Sequence, residues 1–518
     1  MRHILALDAG TGSGRAVVFD EEGRELAVAR REWTHREEPG FPGSMTFDRE
    51  TNWRLLVEAI REALSRVDQP RVVAVSTTSM REGIALYDEA GQELWACANV
   101  DARAVEEVRE LKAREPELEL WAYQRSGQTY ALGAAPRLFW LKKHQPEIYE
   151  RARWLTMLSD WIAVRLGAPP AVDPTNGGTT GLFHLETRSW DLELGRRLGV
   201  KEALLETPVF EPGTVVGEVS AKAARETGLP PGTPIIMGGG DAQLGTLGLG
   251  ATGPGDTVIL GGSFWQQEVN LAVPKADPTA RIRVNFAAQP ALWQAEAIVF
   301  FPGIAVRWFR DALAPDLKAE ARRAGRDPYE LLEELAARVP PGAYGLTPIL
   351  SDAMDYLHWR HAAPSFLNFG LDPVRFHRGT FFRALEENAA LVTRANLERI
   401  AAFAGVFPKE AVFAGGASKG KLWPQIVADV LQVPLKIPVV KEATALGAAI
   451  VAGVGVGLYP DAARAATALV RYERVVEPRR ENREVYEEAY QRWREAYPVQ
   501  LELADRGVTT SMWRAPGE

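Results

Sequence analysis

Short apolar stretches that end in clusters of glycine recur in both halves of this chain, and this repetition restricts its fold most strongly. In the first half, residues 3–8 are apolar and β-prone, a glycine cluster follows, and a second strand is predicted over 15–20. A third strand is predicted near 25–31, a helix over 52–67 and a buried strand over 72–77. The order β-β-β-α-β favours a sheet with mixed strand directions and a helix packed on it.

The second half repeats this opening. Strands are predicted over 234–237, 257–260 and 411–414, and each leads into glycines. The repeat indicates a duplicated α/β domain, with a boundary near residues 230–250 and a cleft between the two copies. After about residue 470, a charged segment carries aromatic residues at helical spacing, which predicts a solvated docking helix.

Composition restricts the partners and the compartment. The chain has 60 basic and 68 acidic residues, a formal net charge of -8, which disfavours nucleic acid and anionic lipid as partners. The chain has a single cysteine, Cys97, so it cannot form an intrachain disulfide, and such a low cysteine count is typical of a cytoplasmic protein. We find no signal-peptide core and no apolar run of about 18 residues, so no membrane segment is expected. His358 and His361 lie three residues apart, but they have no third clustered ligand, which argues against a metal site there.

The first glycine loop, residues 8–15, is a candidate phosphate site. Glycines between two strands can turn backbone N–H groups toward an anion, and Thr11 and Ser13 add hydroxyl donors. Arg15 stands where a dinucleotide-binding fingerprint needs its third glycine, and a strand follows instead of a helix, so a Rossmann interpretation fails. Asp8 would repel a bare phosphate, so its natural task beside one is to hold Mg²⁺ or its waters. A plain glycine hairpin is the alternative.

The other glycine turns are weaker when each is taken alone. The turn 415–422 has Leu422 where a P-loop requires a magnesium-binding hydroxyl, so the turn is not a Walker A motif. It could still let a nucleotide base or ribose approach the backbone. Asp241 follows three glycines, which leaves its carboxylate free to reach a cleft and accept a proton from an alcohol. An aspartate that caps an ordinary turn is the alternative. The turn 261–263 is informative only together with the others.

Polar clusters follow two apolar segments of the first half, at residues 79–83 and 99–103. Adjacent opposite charges at the ends of strands suit a polyhydroxylated ligand, because each hydroxyl both donates and accepts a hydrogen bond. Ordinary surface ion pairs are the alternative.

With these motifs in this order, the sequence resembles the FGGY family of carbohydrate kinases over nearly the whole chain. The resemblance implies an α/β fold with two actin-like (ribonuclease H-like) ATPase domains and an interdomain cleft. We expect a domain for the substrate and first phosphate loop at 1–240, an ATP-binding domain at 241–470, and a helical extension at 471–518. The resemblance also implies an ATP-dependent kinase that uses Mg²⁺ and acts on a small polyhydroxylated alcohol.

The resemblance further implies roles for single residues. Asp241 matches the catalytic base, and Asp8 and Asp241 would hold Mg²⁺. The residues expected to contact ATP lie in the three glycine turns and are Gly10, Thr11, Gly12, Ser13, Gly261, Gly262, Ser263, Gly415, Gly416, Ala417 and Ser418. The residues expected to bind substrate hydroxyls are Arg81, Glu82, Asp101, Arg103, Asp160, Thr175, Asn176 and Gln243. The chain departs from the family at Arg137, where lysine is common, and at Gly262, where threonine is frequent.

Several segments are most similar to the members that phosphorylate the terminal C5 hydroxyl of the quorum-sensing signal autoinducer-2, open-chain 4,5-dihydroxy-2,3-pentanedione. They include FPGSMTFD, SMREGIALY, WACANVDAR, VDPTNGGTTGL and HAAPSFLN. A pentulose or polyol kinase of the same family would share every phosphate motif and stays open. A non-catalytic actin-like nucleotide sensor also stays open, although it has no need of a carboxylate at Asp241. Oligomeric state does not follow from the sequence, so a homodimer is neither predicted nor ruled out.

Overall fold

The computed structural model describes residues 1–350, 356–515 and 517. Pro516 and Glu518, in the predicted C-terminal extension, lie outside the described residues. The strands of the first half are β1 (His3–Gly10), β2 (Ser13–Asp20), β3 (Glu25–Glu32), β4 (Arg36–Glu38), β5 (Phe41–Thr46), β6 (Val72–Ser79), β7 (Ile84–Tyr87), β8 (Glu93–Cys97), β9 (Trp154–Met157), β10 (Phe183–His184), β11 (Ser189–Trp190), β12 (Val215–Glu218) and β13 (Pro234–Gly240). Those of the second half are β14 (Thr257–Gly261), β15 (Trp265–Leu271), β16 (Arg283–Phe286), β17 (Trp293–Val299), β18 (Thr347–Ile349), β19 (Ser365–Leu367), β20 (Ala411–Ala414), β21 (Leu435–Pro438) and β22 (Tyr472–Val476).

The α-helices lie between these strands along the chain, singly or in runs. They are α1 (Arg49–Ser65), α2 (Val105–Arg114), α3 (Leu118–Ser126), α4 (Ala134–His144), α5 (Pro146–Arg151), α6 (Leu158–Leu166), α7 (Pro174–Gly177), α8 (Leu192–Leu198), α9 (Ala221–Thr227), α10 (Asp241–Gly248), α11 (Pro302–Ala312), α12 (Pro315–Ala324), α13 (Pro328–Ala336), α14 (Arg378–Ala404), α15 (Leu422–Leu431), α16 (Ala443–Gly455), α17 (Ala462–Leu469) and α18 (Arg483–Asp505).

The first sheet has the strand order β12-β13-β6-β1-β2-β3. Strand β1 is antiparallel to β2 and parallel to β6, and β6 is parallel to β13. The predicted helix is α1, which buries Trp53, Leu56 and Ile60 and begins where the Asp48 side chain accepts a hydrogen bond from Thr51 N. The predicted order β-β-β-α-β is correct for this sheet, but β4 and β5 intervene and belong to a further sheet, β4-β5-β8-β7-β9.

The second sheet has the order β16-β17-β15-β14-β20-β21-β22 and repeats the arrangement around β1. Strand β14 is antiparallel to β15 and parallel to β20, as β1 is to β2 and β6. The predicted duplication is therefore present in the strand pairing. We call the parts of the chain built on the first and second sheets the first and second domains.

Helix α16 joins the two domains. It packs against α10 and also against β1, β6 and β13 of the first sheet. The many small residues of α16 (Ala443–Gly455) allow this close contact. Because α10 begins at the end of β13, the pair of helices lies where the chain passes from one sheet to the other. The exact domain bounds stay a prediction.

The C-terminal segment differs from the predicted solvated helix. Residues 472–476 form β22 at the edge of the second sheet, paired with β21. Helix α18 follows, but its aromatic side chains Tyr486, Tyr490 and Trp493 are buried. The reason is their spacing of three and four residues, which places them in one stripe that packs on the second domain while the charged residues face solvent.

No helix in the described parts of the chain combines the length and apolar character that crossing a bilayer requires.

Cys97 is a free, buried thiol at the end of β8.

Candidate active site

Asp241 begins α10 at the point where β13 leaves the first sheet. The predicted strand 234–237 in fact continues to Gly240, because its glycines let β13 lie against β6. A Cβ on Gly238 would lie only 1.6 Å from the carbonyl oxygen of Thr77. Thr175 Oγ1 accepts a hydrogen bond of 2.9 Å from Gly240 N, which fixes the residue before Asp241. The backbone that carries Asp241 is thus held on two sides.

The carboxylate of Asp241 is accessible and strongly perturbed. Its side chain is 41% exposed, and its Oδ1 lies 3.9 Å from Nε of Arg81. It sits deep enough among protein atoms that desolvation raises its pKa to about 6, although Arg81 works in the opposite direction. A carboxylate with a pKa near neutrality and an open side can accept a proton from a bound alcohol.

Asp8 lies near the end of β1, which β6 separates from β13, and its carboxylate is close enough to that of Asp241 for the two charges to interact. Its Oδ1 is buried without a hydrogen-bond partner, and its Oδ2 lies 3.7 Å from Nη1 of Arg15. Burial raises the pKa of Asp8 to about 7, Arg15 opposes this, and the carboxylates of Asp241 and Glu442 add to it. An orphaned carboxylate oxygen near a second carboxylate fits a divalent cation that takes its remaining ligands from phosphate and water, as Mg²⁺ does. Among the described residues, no group of three or more His, Cys, Asp or Glu side chains is placed to hold a metal.

The first glycine turn is the tip of the hairpin between β1 and β2, where Gly10 pairs with Ser13. Thr11 and Gly12 are exposed, whereas Ser13 is buried. The carbonyl oxygens of the turn are held from behind, since Trp33 Nε1 donates to Gly10 O at 3.0 Å and His35 Nε2 to Thr11 O at 2.6 Å. The turn is therefore both a glycine hairpin and an exposed, anchored tip beside Asp8.

The two remaining glycine turns meet in the second domain. Gly415 follows β20 with φ 97° and ψ −169°, and a Cβ there would lie 2.7 Å from Gly261 O. Both turns line one cavity of about 410 Å³, a volume typical of small-ligand pockets. The predicted residues that line it are Gly261, Gly262, Ser263, Gly416 and Ala417. Asp8 and Asp241 are not among its lining residues.

Three predicted substrate residues gather near Asp241. Arg81 lies beside it, Glu82 Oε1 accepts a hydrogen bond of 2.7 Å from Nη2 of Arg283, and Gln243 Nε2 donates to Gln294 Oε1 at 3.2 Å. Gln243 Oε1 is buried without a hydrogen-bond partner. The partners of these side chains come from the second sheet.

Those second-sheet partners were missed by the sequence analysis. Arg283 lies on β16, and Gln294 and Glu296 lie on β17, where Glu296 holds the Arg81 guanidinium with both carboxylate oxygens. The sequence does contain a pattern that indicates these residues: charged and amide side chains occur at alternate positions in two otherwise apolar strands. Buried polar residues in a strand face need partners, and here the partners are the candidate site residues.

Asp101 and Arg103 pair with each other, and their role as substrate ligands stays a prediction. Neither side chain has exposed surface, and they pair with each other at 2.8 Å. Arg103 also donates to Glu38 and Thr46, and its guanidinium lies over the rings of two tryptophans. Asp101 Oδ2 accepts a bond from Met45 N. These contacts satisfy the polar groups internally, so the pair holds a loop of the first domain.

Asp160 and Asn176 are also internal. Asp160 Oδ2 accepts a hydrogen bond of 2.9 Å from Met157 N at the start of α6, and Asn176 Nδ2 donates to the hydroxyls of Ser79 and Ser159. Both residues are buried. They link α6 and α7 to the end of β6. Asp160 Oδ1 and Asn176 Oδ1 are buried without a hydrogen-bond partner, and direct substrate contact by these two residues stays a prediction.

The contacts of Arg137 account for an arginine at this position, where lysine is common in the family. It is buried on α4 and donates to the carbonyl oxygens of Glu82, Asn99 and Asp101. A guanidinium can serve three acceptors in fixed directions, which an ammonium group on a flexible stem does less well. Arg137 therefore ties together the two polar loops that the sequence analysis singled out.

Comparisons with known proteins agree with this geometry. A family model described as the FGGY family of carbohydrate kinases, N-terminal domain, matches residues 3–248, and the corresponding C-terminal domain matches residues 269–456. Relatives named autoinducer-2 kinase from Yersinia enterocolitica and Salmonella typhimurium are 53% and 52% identical to this chain, over 99% of its length and 98% of theirs. The solved structure of a xylulose kinase from Rhodospirillum rubrum matches this chain with a TM-score of 0.86 and 27% sequence identity. The match covers 98% of this chain and 100% of the xylulose kinase chain.

The expected α/β fold with two actin-like domains is confirmed by this structural match. The expected family is confirmed by matches to both of its domains and by relatives of more than half identity. The chain therefore belongs to the FGGY family of carbohydrate kinases, phosphotransferases that pass a phosphoryl group from ATP to an alcohol of a small carbohydrate-like substrate.

Proposed function

We propose that this protein phosphorylates the terminal C5 hydroxyl of autoinducer-2 in its open-chain form, 4,5-dihydroxy-2,3-pentanedione. The names of relatives that are more than half identical to this chain support this substrate over other alcohols. The observation that carries the kinase assignment is the accessible carboxylate of Asp241, with its raised pKa and with Arg81 beside it.

ATP would bind chiefly to the second domain. The cavity between the turns at Gly261 and Gly415 would take the nucleoside end, and the exposed tip at Thr11 and Gly12 would meet phosphate. Asp8 and Asp241 would hold Mg²⁺, which when bound neutralises charge on the phosphates.

Asp241 would accept the proton of the alcohol as the oxygen attacks the γ-phosphorus. Arg81, Glu82 and Gln243 would orient that alcohol, since all three lie close to Asp241 and bear donors and acceptors for hydroxyls. The transition state of phosphoryl transfer is loose, so placement of the two reactants supplies most of the rate. Closure of the two domains would exclude water from the transferring group.

A panel of coupled ADP-release assays tests this proposal, with the dione, xylulose, ribulose, glycerol and erythritol as acceptors. We expect the highest kcat/KM for the dione and slow ADP release without any acceptor. A preference for xylulose or glycerol would assign a pentulose or polyol kinase instead. ADP release that no alcohol stimulates would favour a nucleotide sensor. Mass spectrometry of the product, with NMR of its C5 position, checks which hydroxyl carries the phosphate.

A further inference from the structure

One face of the second sheet carries a buried polar network that ends on the candidate substrate residues. Glu268 on β15 and Glu296 on β17 are direct cross-strand partners, and both are fully buried. Asn285 on β16 donates to Glu296 at 3.0 Å. A buried, charged network of this kind costs free energy to desolvate, so its contacts need an explanation beyond packing.

The network reaches the first domain through two ion pairs. Glu296 accepts hydrogen bonds from both terminal nitrogens of Arg81, and Arg283 donates a hydrogen bond to Glu82. Arg283 also donates to Gln128 Oε1 at 2.6 Å, which anchors its position. The two consecutive residues Arg81 and Glu82 are thus each held by an opposite charge from the other domain. Glu82 has φ 60°, a left-handed conformation that a non-glycine residue keeps only when its surroundings fix it.

Charge is distributed unequally between the two facing glutamates. Burial opposes ionisation of Glu296, but Arg81 and Arg283 outweigh it and lower the pKa of Glu296 to about 2. Burial and the neighbouring Glu296 carboxylate raise the pKa of Glu268 well above its ordinary value. The two arginines therefore stabilise the ionised form of Glu296, which holds Arg81, whereas burial and Glu296 disfavour the ionised form of Glu268.

We infer that Glu296 is a positioning residue for the acceptor alcohol: it holds Arg81 beside Asp241, so that the second domain completes the substrate site of the first. The inference rests on the proposed function, because it needs Arg81 to contact the alcohol. Without the carboxylate of Glu296, the ion-pair contact that the described residues still offer to Arg81 is the one with Asp241 at 3.9 Å, and we expect the guanidinium to leave the orientation in which it would bind a hydroxyl.

Steady-state kinetics of Glu296→Gln test the inference. We expect KM for the dione to rise by about tenfold or more, because a charge-assisted bond that fixes the ligand-binding group is lost, while KM for ATP changes by less than about twofold. Glu93→Gln is the matched control, since Glu93 makes a bidentate pair with Arg165 in the first domain away from Asp241. The control should leave both KM values unchanged. Thermal unfolding of each variant checks that it is folded at the assay temperature.

A second variant covers the case in which Glu296→Gln does not fold. Glu296→Asp keeps the charge but shortens the side chain, and we expect a several-fold rise in KM for the dione. A wild-type KM in that variant would overturn the inference. So would an unchanged or lowered KM for the dione in Glu296→Gln, or equal rises in KM for ATP and for the dione.

A double-mutant cycle shows whether Glu296 acts through Arg81. In an Arg81→Met background, Glu296→Gln should add no further rise in KM for the dione, because the group that it positions is already gone. Additive effects would overturn the inference. If the wild-type enzyme phosphorylated no alcohol, the proposed function itself would be refuted. That result differs from an active wild-type enzyme whose kinetics do not change when Glu296 is substituted.

Discussion

Replacing Gly415 with alanine should weaken ATP binding and leave the alcohol site intact. Gly415 has φ 97° and ψ −169°, a region that essentially only glycine enters, and another residue held there costs about 1–3 kcal/mol. The new Cβ would lie 2.7 Å from Gly261 O, whereas ordinary contact begins at 3.4 Å, so the two turns must separate by about 0.7 Å (3.4 − 2.7). Both turns line the cavity proposed for the nucleotide.

The size of the effect follows from where the strain is relieved. The free variant can relax by moving the turn, but ATP binding requires the original spacing and restores the strain. A penalty of about 1–3 kcal/mol then corresponds to a rise in KM for ATP of about 5- to 150-fold. ATP and dione titrations in a coupled ADP-release assay measure it, and KM for the dione should change little.

Gly405→Ala is the matched control. Gly405 ends α14 with φ 78°, so alanine is strained there too, but no atom lies within 4 Å of the added Cβ. We expect a lower Tm and an unchanged KM for ATP. A wild-type KM for ATP in Gly415→Ala, or an equal rise in the Gly405 variant, would refute the assignment of the nucleotide to these turns.

Two further predictions concern the carboxylates. Asp8→Asn should raise the Mg²⁺ concentration needed for half-maximal activity by about tenfold or more, because the orphaned Oδ1 becomes a neutral amide atom; an unchanged Mg²⁺ titration would remove Asp8 from the metal site. Desolvation raises the pKa of Asp241 to about 6, so the base becomes protonated and inactive below that pH. kcat/KM should therefore fall about tenfold per pH unit below pH 6, and a profile flat to pH 5 would contradict the role of Asp241 as base.

Local sequence patterns were sufficient to predict the strands that carry the site. Alternation, β-branched residues and glycine clusters are visible within a few residues, which is why β1, β14 and β20 were located closely. The sheet β4-β5-β8-β7-β9 was not predicted, because its pairing joins segments that are far apart in sequence, such as Leu86 and Leu155. Short-range patterns contain no information about such partners.

The same limit applies to the candidate site. Adjacent charges at Asp101 and Arg103 predicted ligand contacts, but sequence could not show that the two side chains satisfy each other inside the domain. Glu296 was overlooked because the alternation of Gln294 and Glu296 in an apolar strand indicates buried polar groups but not the residues that they contact. Its importance comes from Arg81, which lies 215 residues away along the chain.

Transient kinetics of Asp241→Asn test the central claim most directly. The variant should bind ATP with a dissociation constant within about threefold of the wild type, yet transfer phosphate about 10² to 10⁴ times more slowly, because the alcohol has lost its proton acceptor. Rapid-quench measurement of phosphorylated dione, beside calorimetric titration with ATP, separates the two quantities. Turnover near the wild-type rate would contradict the account.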